Sequence, residues 1–168
     1  RNALGDLDQC LMIWATTRNA RTLVTHPTRL AEYEECYPTP HASGLGTPYF
    51  ADGILAIPAY LLGANPILTL NVVSLLMLWL SALAMFALAY YWTGHVGAAF
   101  VAGLAFGFHP NRVLGANWPH INGNQWSPLA LLFTHRLFTR GGWRDAAGLA
   151  AFLGMQILAS FSSSSRSW

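Results

Sequence analysis

An uncharged run of 59 residues, between Asp52 and Arg112, constrains this chain more than any other feature. A helix needs about 20 consecutive apolar residues to cross a bilayer, so the run has room for more than one span. Charged residues make up 10% of the 168 residues, against about 25% in an average soluble domain. This composition argues against a free-standing soluble domain and predicts an all-α, polytopic bundle of transmembrane helices.

Acidic residues concentrate at the start of the chain, where six of the seven lie in the first 52 residues. We expect residues 1–65 to form an extracytoplasmic loop with juxtamembrane helices, and residues 66–168 to contain about four spans. A helix on the membrane surface is predicted from Leu7 to Val24, with Gly5-Asp6 where an N-cap belongs. The chain begins with Arg and stops just after an apolar segment, so we expect a fragment of a longer protein.

Four apolar segments are the expected spans. The longest runs from Ile67 to Trp92 and ends in aromatic residues typical of a membrane interface. The second, Val96 to Phe108, carries a Gly103-xxx-Gly107 pattern that lets another helix approach closely. The third and fourth are Gln125 to Phe138 and Ala146 to Phe161.

Arginine placement predicts the orientation. The short loop Thr139 to Asp145, with the preceding Arg136, has three arginines against one Asp and is therefore expected on the cytoplasmic side. By parity, the N-terminal region and the loop His109 to Asn124 then share the extracytoplasmic side. Two polar segments that are distant in sequence would meet there, and a binding site can form between them.

Asp6 and Asp8 are the candidate catalytic residues. A carboxylate at a helix N-terminus is kept ionised by the backbone N–H groups and the helix dipole, which suits it to accept a proton from a substrate hydroxyl. The alternative for Asp6 is an ordinary helix cap, since Asp is among the commonest capping residues.

The loop after the second apolar segment supplies the candidate substrate-binding residues. An arginine there can hold an anionic phosphate through two parallel hydrogen bonds. The alternative is an arginine that reaches to the interface and histidines that bond to nearby carbonyls. The candidates are Arg112, His109, His120, Asn124 and Gln125.

Metal, disulfide and nucleic-acid functions have little support. Glu32, Glu34 and Glu35 can bind a divalent cation, but a solvated loop face is the simpler interpretation, and we assign no metal ligands. Cys10 and Cys36 form either one disulfide or two free thiols. All nine basic residues are arginines spread along the chain, which argues against nucleic acid as a partner.

Several short motifs follow one another along nearly the whole chain. They are Gly5-Asp6 with Trp14, Tyr37-Pro38, Asn65-Pro66 to Asn71, Thr93-Gly94, Phe106 and Phe108 leading to Pro110 and Arg112, His120, Gln125-Trp126 with Pro128-Leu129, and Gly142 to Ala146. In the order of these motifs, rather than in any one of them, the chain resembles the N-terminal half of bacterial multi-pass proteins of the GT-C glycosyltransferase-like superfamily. An acidic residue that related chains often have is absent between Ser43 and Thr47.

This resemblance implies a membrane glycosyltransferase of the bacterial inner membrane and cell envelope. It would take a sugar from a polyprenyl-phosphate donor, with Asp6 as general base or acceptor-orienting acid and with Arg112 and His120 at the donor phosphate. The partners would be the bilayer and the lipid-linked sugar, and the oligomeric state stays open. Two alternatives are a transporter or flippase for a lipid-linked glycan and a non-catalytic subunit of an envelope-assembly complex.

Overall fold

A computed structural model describes residues 3–30, 49–115 and 123–160, and within α1 it describes side chains from Gln9 onward. These ranges are helical with short turns and contain no strand, so the predicted all-α class is confirmed. The elements are α1 (Ala3–Thr25), a 3-10 helix (Pro27–Arg29), α2 (Phe50–Leu61), α3 (Pro66–Thr93), α4 (Val96–Gly107), α5 (Pro110–Leu114), α6 (Ser127–Arg140) and α7 (Trp143–Ser160).

Within the described ranges, α3 alone is long and apolar enough to cross a membrane. Its 28 residues extend about 42 Å at 1.5 Å per residue, which exceeds the ~30 Å hydrocarbon core. The prediction from Ile67 to Trp92 is therefore correct to within one residue at each end. The other three predicted spans correspond to helices α4, α6 and α7, which have 12, 14 and 18 residues. None of these three helices is both long and apolar enough to be a candidate membrane span.

The chain divides into two compact units, which are considered separately: Arg1–Val73 with Leu158–Trp168, and Ser74–Ile157. In the first unit, α1 packs against α2. The helices approach closely at Gly53, because a Cβ atom there would lie 2.6 Å from the Cβ of Asn19. Alanines on both helices, including Ala15 and Ala56, are fully buried, and these small side chains allow the close contact.

The face of α1 that packs on α2 is partly polar. Met12 and Ala15 are buried, whereas Trp14 is 40% exposed. The polar residues Thr16 and Asn19 are fully buried. Helix α1 thus directs an alanine-rich, partly polar stripe toward α2, and its predicted position on a membrane surface stays a prediction.

In the second unit, two glycines bring α4 against α3. Gly103 and Gly107 are buried, and Cβ atoms added at these positions would lie 2.7 Å from the carbonyl oxygen of Ala82 and 2.5 Å from its Cβ. Beside this contact, the rings of Trp79 and Phe108 meet edge to face at 5.8 Å. The predicted role of the Gly103-xxx-Gly107 pattern is confirmed.

Aromatic rings join α6 to α7. Phe133 and Phe152 stack at 5.4 Å, and the Phe133 ring also covers Gly148, where a Cβ atom would lie 2.5 Å away. Between the two helices, Gly141 has the positive φ of 65° that ends many helices and that glycine adopts without strain. The turn brings Nε of Arg136 to 2.9 Å from Oδ1 of the buried Asp145.

We expect Asp145→Asn to destabilise this turn. The substitution leaves the Arg136 guanidinium, whose side chain is 33% exposed, without its ionic partner. An ion pair of intermediate burial contributes about 1–2 kcal/mol. Thermal unfolding in detergent should show a lower midpoint, whereas Arg144→Gln, at the exposed neighbouring position, should leave it unchanged. Equal midpoints for the wild type and the Asn variant would contradict the assignment.

Candidate functional site

The most unusual group in the first unit is the side chain of Asp52, the third residue of α2. It is 1% exposed, and within the described part of the chain neither carboxyl oxygen has a hydrogen-bond partner. Burial raises the pKa of Asp52 to about 7, because a charged carboxylate loses its hydration there. Buried polar groups are almost always hydrogen-bonded, and a buried acid with a pKa near neutrality is a frequent mark of a functional site.

Asp52 is buried together with its neighbours in the first turn of α2. Helix α2 begins after Tyr49, whose φ of 49° and ψ of 28° are unusual for a bulky residue. The carbonyl of Tyr49 accepts a hydrogen bond of 3.0 Å from the N–H of Gly53. Ala51 and Gly53 on either side of Asp52 are also buried, so this first turn of α2 lies inside the unit.

Sequence reasoning did not select Asp52 as a site residue. The sequence does carry a signal for Asp52, because it is the last charged residue before the long uncharged run. The other acids of the N-terminal region lie upstream of it. Amphipathic patterning alone does not reveal that an acid at such a boundary turns inward.

The predicted catalytic residues lie on α1. The helix begins at Ala3, so Asp6 is its fourth residue and not its N-cap, and Asp8 is its sixth. The expected cap position was wrong because α1 starts earlier than predicted. The side chains of both acids lie outside the described part of the structure, and their catalytic role stays a prediction.

His109 and Arg112 lie together around α5 in the second unit. Nδ1 of His109 accepts a hydrogen bond of 3.3 Å from the N–H of Asn111 and caps the short helix. Arg112 donates a 3.2 Å hydrogen bond to the carbonyl of Phe106 in the last turn of α4, and its guanidinium carbon lies 5.0 Å from the centre of the Phe106 ring. Partial burial lowers the pKa of Arg112. Both residues make contacts that join α4 to α5, and their predicted role in substrate binding stays a prediction.

Asn124 and Gln125 lie in the turn before α6, also in the second unit. Asn124 is exposed, and its carbonyl accepts a 3.3 Å hydrogen bond from the N–H of Ser127. Gln125 is 1% exposed, and neither of its amide atoms has a hydrogen-bond partner among the described residues. Of the four predicted binding residues that the structure describes, Gln125 is thus the one with buried, unsatisfied hydrogen-bonding groups.

Gln156 of α7 braces the same turn. Its Nε2 donates a 2.8 Å hydrogen bond to the carbonyl of Gly123, and its Oε1 accepts a 2.9 Å hydrogen bond from Oγ of Ser127. The ring of Trp126 stacks on Phe152 at 6.1 Å, while its buried Nε1 has no hydrogen-bond partner among the described residues. The indole N–H can donate a hydrogen bond, and the Gln125 amide can both donate and accept.

The remaining predictions fall partly outside the described residues. His120 and the acids Glu32, Glu34 and Glu35 lie there, as does Cys36, whereas Cys10 is an exposed free thiol on α1. Within the described ranges, no three His, Cys, Asp or Glu residues group as metal ligands do. His135 lies edge-on to Tyr91 at 5.6 Å and to Trp92 at 6.1 Å.

Comparison with protein-family models, with curated proteins and with solved structures gave no match for this chain. The described structure therefore defines an all-α chain with one helix that is able to span a membrane. Its function has to be inferred from its own residues.

Proposed function

We propose that the chain is part of a membrane glycosyltransferase that moves a sugar from a polyprenyl-phosphate donor to an extracytoplasmic acceptor. The observation that carries the proposal is the order of the elements: α1, which bears Asp6 and Asp8, packs on α2, and the membrane-length helix α3 follows at once. An acid-bearing helix pair beside a span is the arrangement expected of juxtamembrane helices.

The proposed reaction is a displacement at the sugar. Asp6 takes the proton of the acceptor hydroxyl, and that oxygen forms a bond to the anomeric carbon of the donor sugar. The bond between this carbon and the phosphate oxygen breaks, and polyprenyl phosphate leaves with the electron pair. Arg112, with His120, offsets the charge on the leaving phosphate. No step requires a metal, although a divalent cation at the phosphate would be compatible with it.

An apolar groove between α3 and α4 supports lipid handling. It has a volume of about 90 Å³ and is lined by Trp79, Phe86, Phe100 and Leu104, with Gly103 and Phe108. Phe100 and Trp79 are more than half exposed, which is unfavourable in water but suits contact with lipid chains. The polyprenyl chain of the donor would lie along this groove.

The test is sugar transfer by membranes that contain the full protein, supplied with labelled polyprenyl-phosphate sugars. We expect Asp6→Asn to lower the rate by at least 100-fold at matched expression, because the acceptor loses its general base. Arg112→Ala should also lower it, but α4–α5 packing must be checked by thermal unfolding because Arg112 holds the end of α4. Undiminished transfer by Asp6→Asn would remove the mechanism.

A transporter for a lipid-linked glycan is the second candidate. The observation that favours it is α4, whose 12 residues extend only about 18 Å and resemble the discontinuous helices of transporters. Translocation of a labelled lipid-linked glycan across proteoliposomes, without sugar transfer, would favour the transporter over the transferase.

A further inference from the structure

An open groove with a volume of about 440 Å³ lies in the first unit. Arginine side chains from two elements line it. Helix α1 contributes Arg18 and Arg21, and the 3-10 helix that follows contributes Arg29. The other lining residues are Trp14, Thr22, Thr25 and His26.

Helical spacing accounts for this grouping. Trp14, Arg18, Arg21 and Thr25 recur at intervals of four, three and four residues, which places them along one stripe of α1. The stripe lies away from the alanine-rich face that packs on α2. Arg18 also donates a 3.4 Å hydrogen bond to the carbonyl of Leu30, which holds the 3-10 segment with Arg29 near the stripe.

The charge of the groove points to an anion. Three guanidinium groups and one imidazole line it. Arginine binds phosphate through paired N–H donors. Arg21 and Arg29 are both exposed, so a ligand can reach them from solvent.

A second groove indicates that the phosphate belongs to a membrane lipid rather than to a soluble molecule. Its volume is about 240 Å³, it shares Trp14, Arg18 and Arg21 with the first, and it extends to Pro66 at the start of α3. Around that point the surface is strongly apolar, with Leu62 87% exposed and Ile67 63% exposed. A tryptophan between arginines and exposed aliphatic residues is typical of a membrane interface.

We propose that the groove formed by Trp14, Arg18, Arg21 and Arg29 binds the phosphate headgroup of an anionic membrane lipid, whose acyl chains lie against the apolar surface at Leu62 and Ile67. The inference rests on α3 being inserted in a membrane, but it does not depend on sugar transfer. Bound lipid would anchor the α1–α2 pair to the bilayer surface. The proposed function assigns the donor phosphate to a different arginine, Arg112.

The test is to measure lipid binding by the purified full chain in uncharged detergent, with native mass spectrometry as the readout. The ligands are phosphatidylglycerol, phosphatidylcholine of the same chain length and inorganic phosphate. The groove variant is Arg21→Gln with Arg29→Gln, which leaves Arg18 and its hydrogen bond in place. Its matched control is Arg140→Gln with Arg144→Gln, which removes the same charge from two exposed positions in the second unit.

Each arginine near an anionic surface changes affinity by roughly fivefold, so we expect about 25-fold weaker phosphatidylglycerol binding in the groove variant. The control should change it by less than about threefold, and phosphatidylcholine should bind weakly to every variant. Equal losses in the groove and control variants would overturn the proposal. Displacement of phosphatidylglycerol by equimolar inorganic phosphate would also overturn it and assign the groove to a soluble phosphate.

Discussion

Asp52→Asn is expected to stabilise the protein at pH 8 by on the order of 4 kcal/mol and to leave its stability at pH 4 nearly unchanged. The pKa of Asp52 is about 7 in the folded protein, whereas an unfolded chain has a value of about 3.9. Between these values the folded state binds a proton that the unfolded state has released. The contribution of protonated Asp52 to the free energy of unfolding is therefore complete below pH ~3.9. It falls as the pH rises and is lost above pH ~7.

The measurement is the thermal unfolding midpoint in detergent from pH 4 to pH 8. The quantity to compare is the difference between variant and wild type, because other groups titrate equally in both. We expect this difference to grow with pH to about 10 °C. Asp145→Asn is the matched control: it removes another buried acid, but one that faces Arg136, so it should lower the midpoint. A variant at Asp52 that is less stable than the wild type at pH 8 would show that the carboxylate is held in its charged form.

An acid that lowers stability at neutral pH needs a reason to be present. Natural chains rarely bury a carboxyl group without a partner, and those that do often use the group in proton transfer or in binding. Asp52 precedes the candidate span by fewer than 15 residues, in the helix that packs on the acid-bearing α1. If Asp52→Asn stabilises the protein and also lowers sugar transfer, Asp52 belongs to the site together with Asp6.

The apolar helices could be predicted from the sequence because long uncharged runs leave few alternatives. The bounds of α3 and the close approach at Gly103 and Gly107 follow from composition and spacing alone. Each depends on local information: one on the length of an apolar run, the other on two small residues four positions apart.

The α1–α2 contact and the arginine groove could not be predicted in the same way. Hydropathy groups Trp14 with the apolar residues of α1, yet Trp14 is 40% exposed and the polar Asn19 is fully buried. Close approach at Gly53 selects small side chains on α1, regardless of their polarity. Arg29 joins the groove only because the chain turns after α1, and that turn is a tertiary feature.

Gly107→Leu is expected to disrupt the packing of α4 on α3 and to lower the stability of the second unit by about 3 kcal/mol or more. Even a Cβ atom at this position would lie 2.5 Å from the Cβ of Ala82 and 2.9 Å from its backbone N and Cα atoms. Backbone atoms cannot rotate away as a flexible side chain can, so the helices must separate. Separation would also open the Trp79–Phe108 contact and the apolar groove beside it.

Gly97→Leu is the matched control, because Gly97 lies on the same helix and an added Cβ atom meets nothing within 4 Å. Leucine favours helix over glycine by close to 1 kcal/mol, so the control should be neutral or slightly stabilising. Thermal unfolding in detergent can be monitored by the near-ultraviolet circular dichroism of the tryptophans. This signal reports both the stability of the protein and the packing of its aromatic residues. If Gly107→Leu and Gly97→Leu unfold at the same temperature, α4 does not pack against α3 through its glycines. A lower midpoint for Gly107→Leu alone would establish that α3 holds the short α4 in place. A helix too short to span a membrane by itself needs such a packing partner.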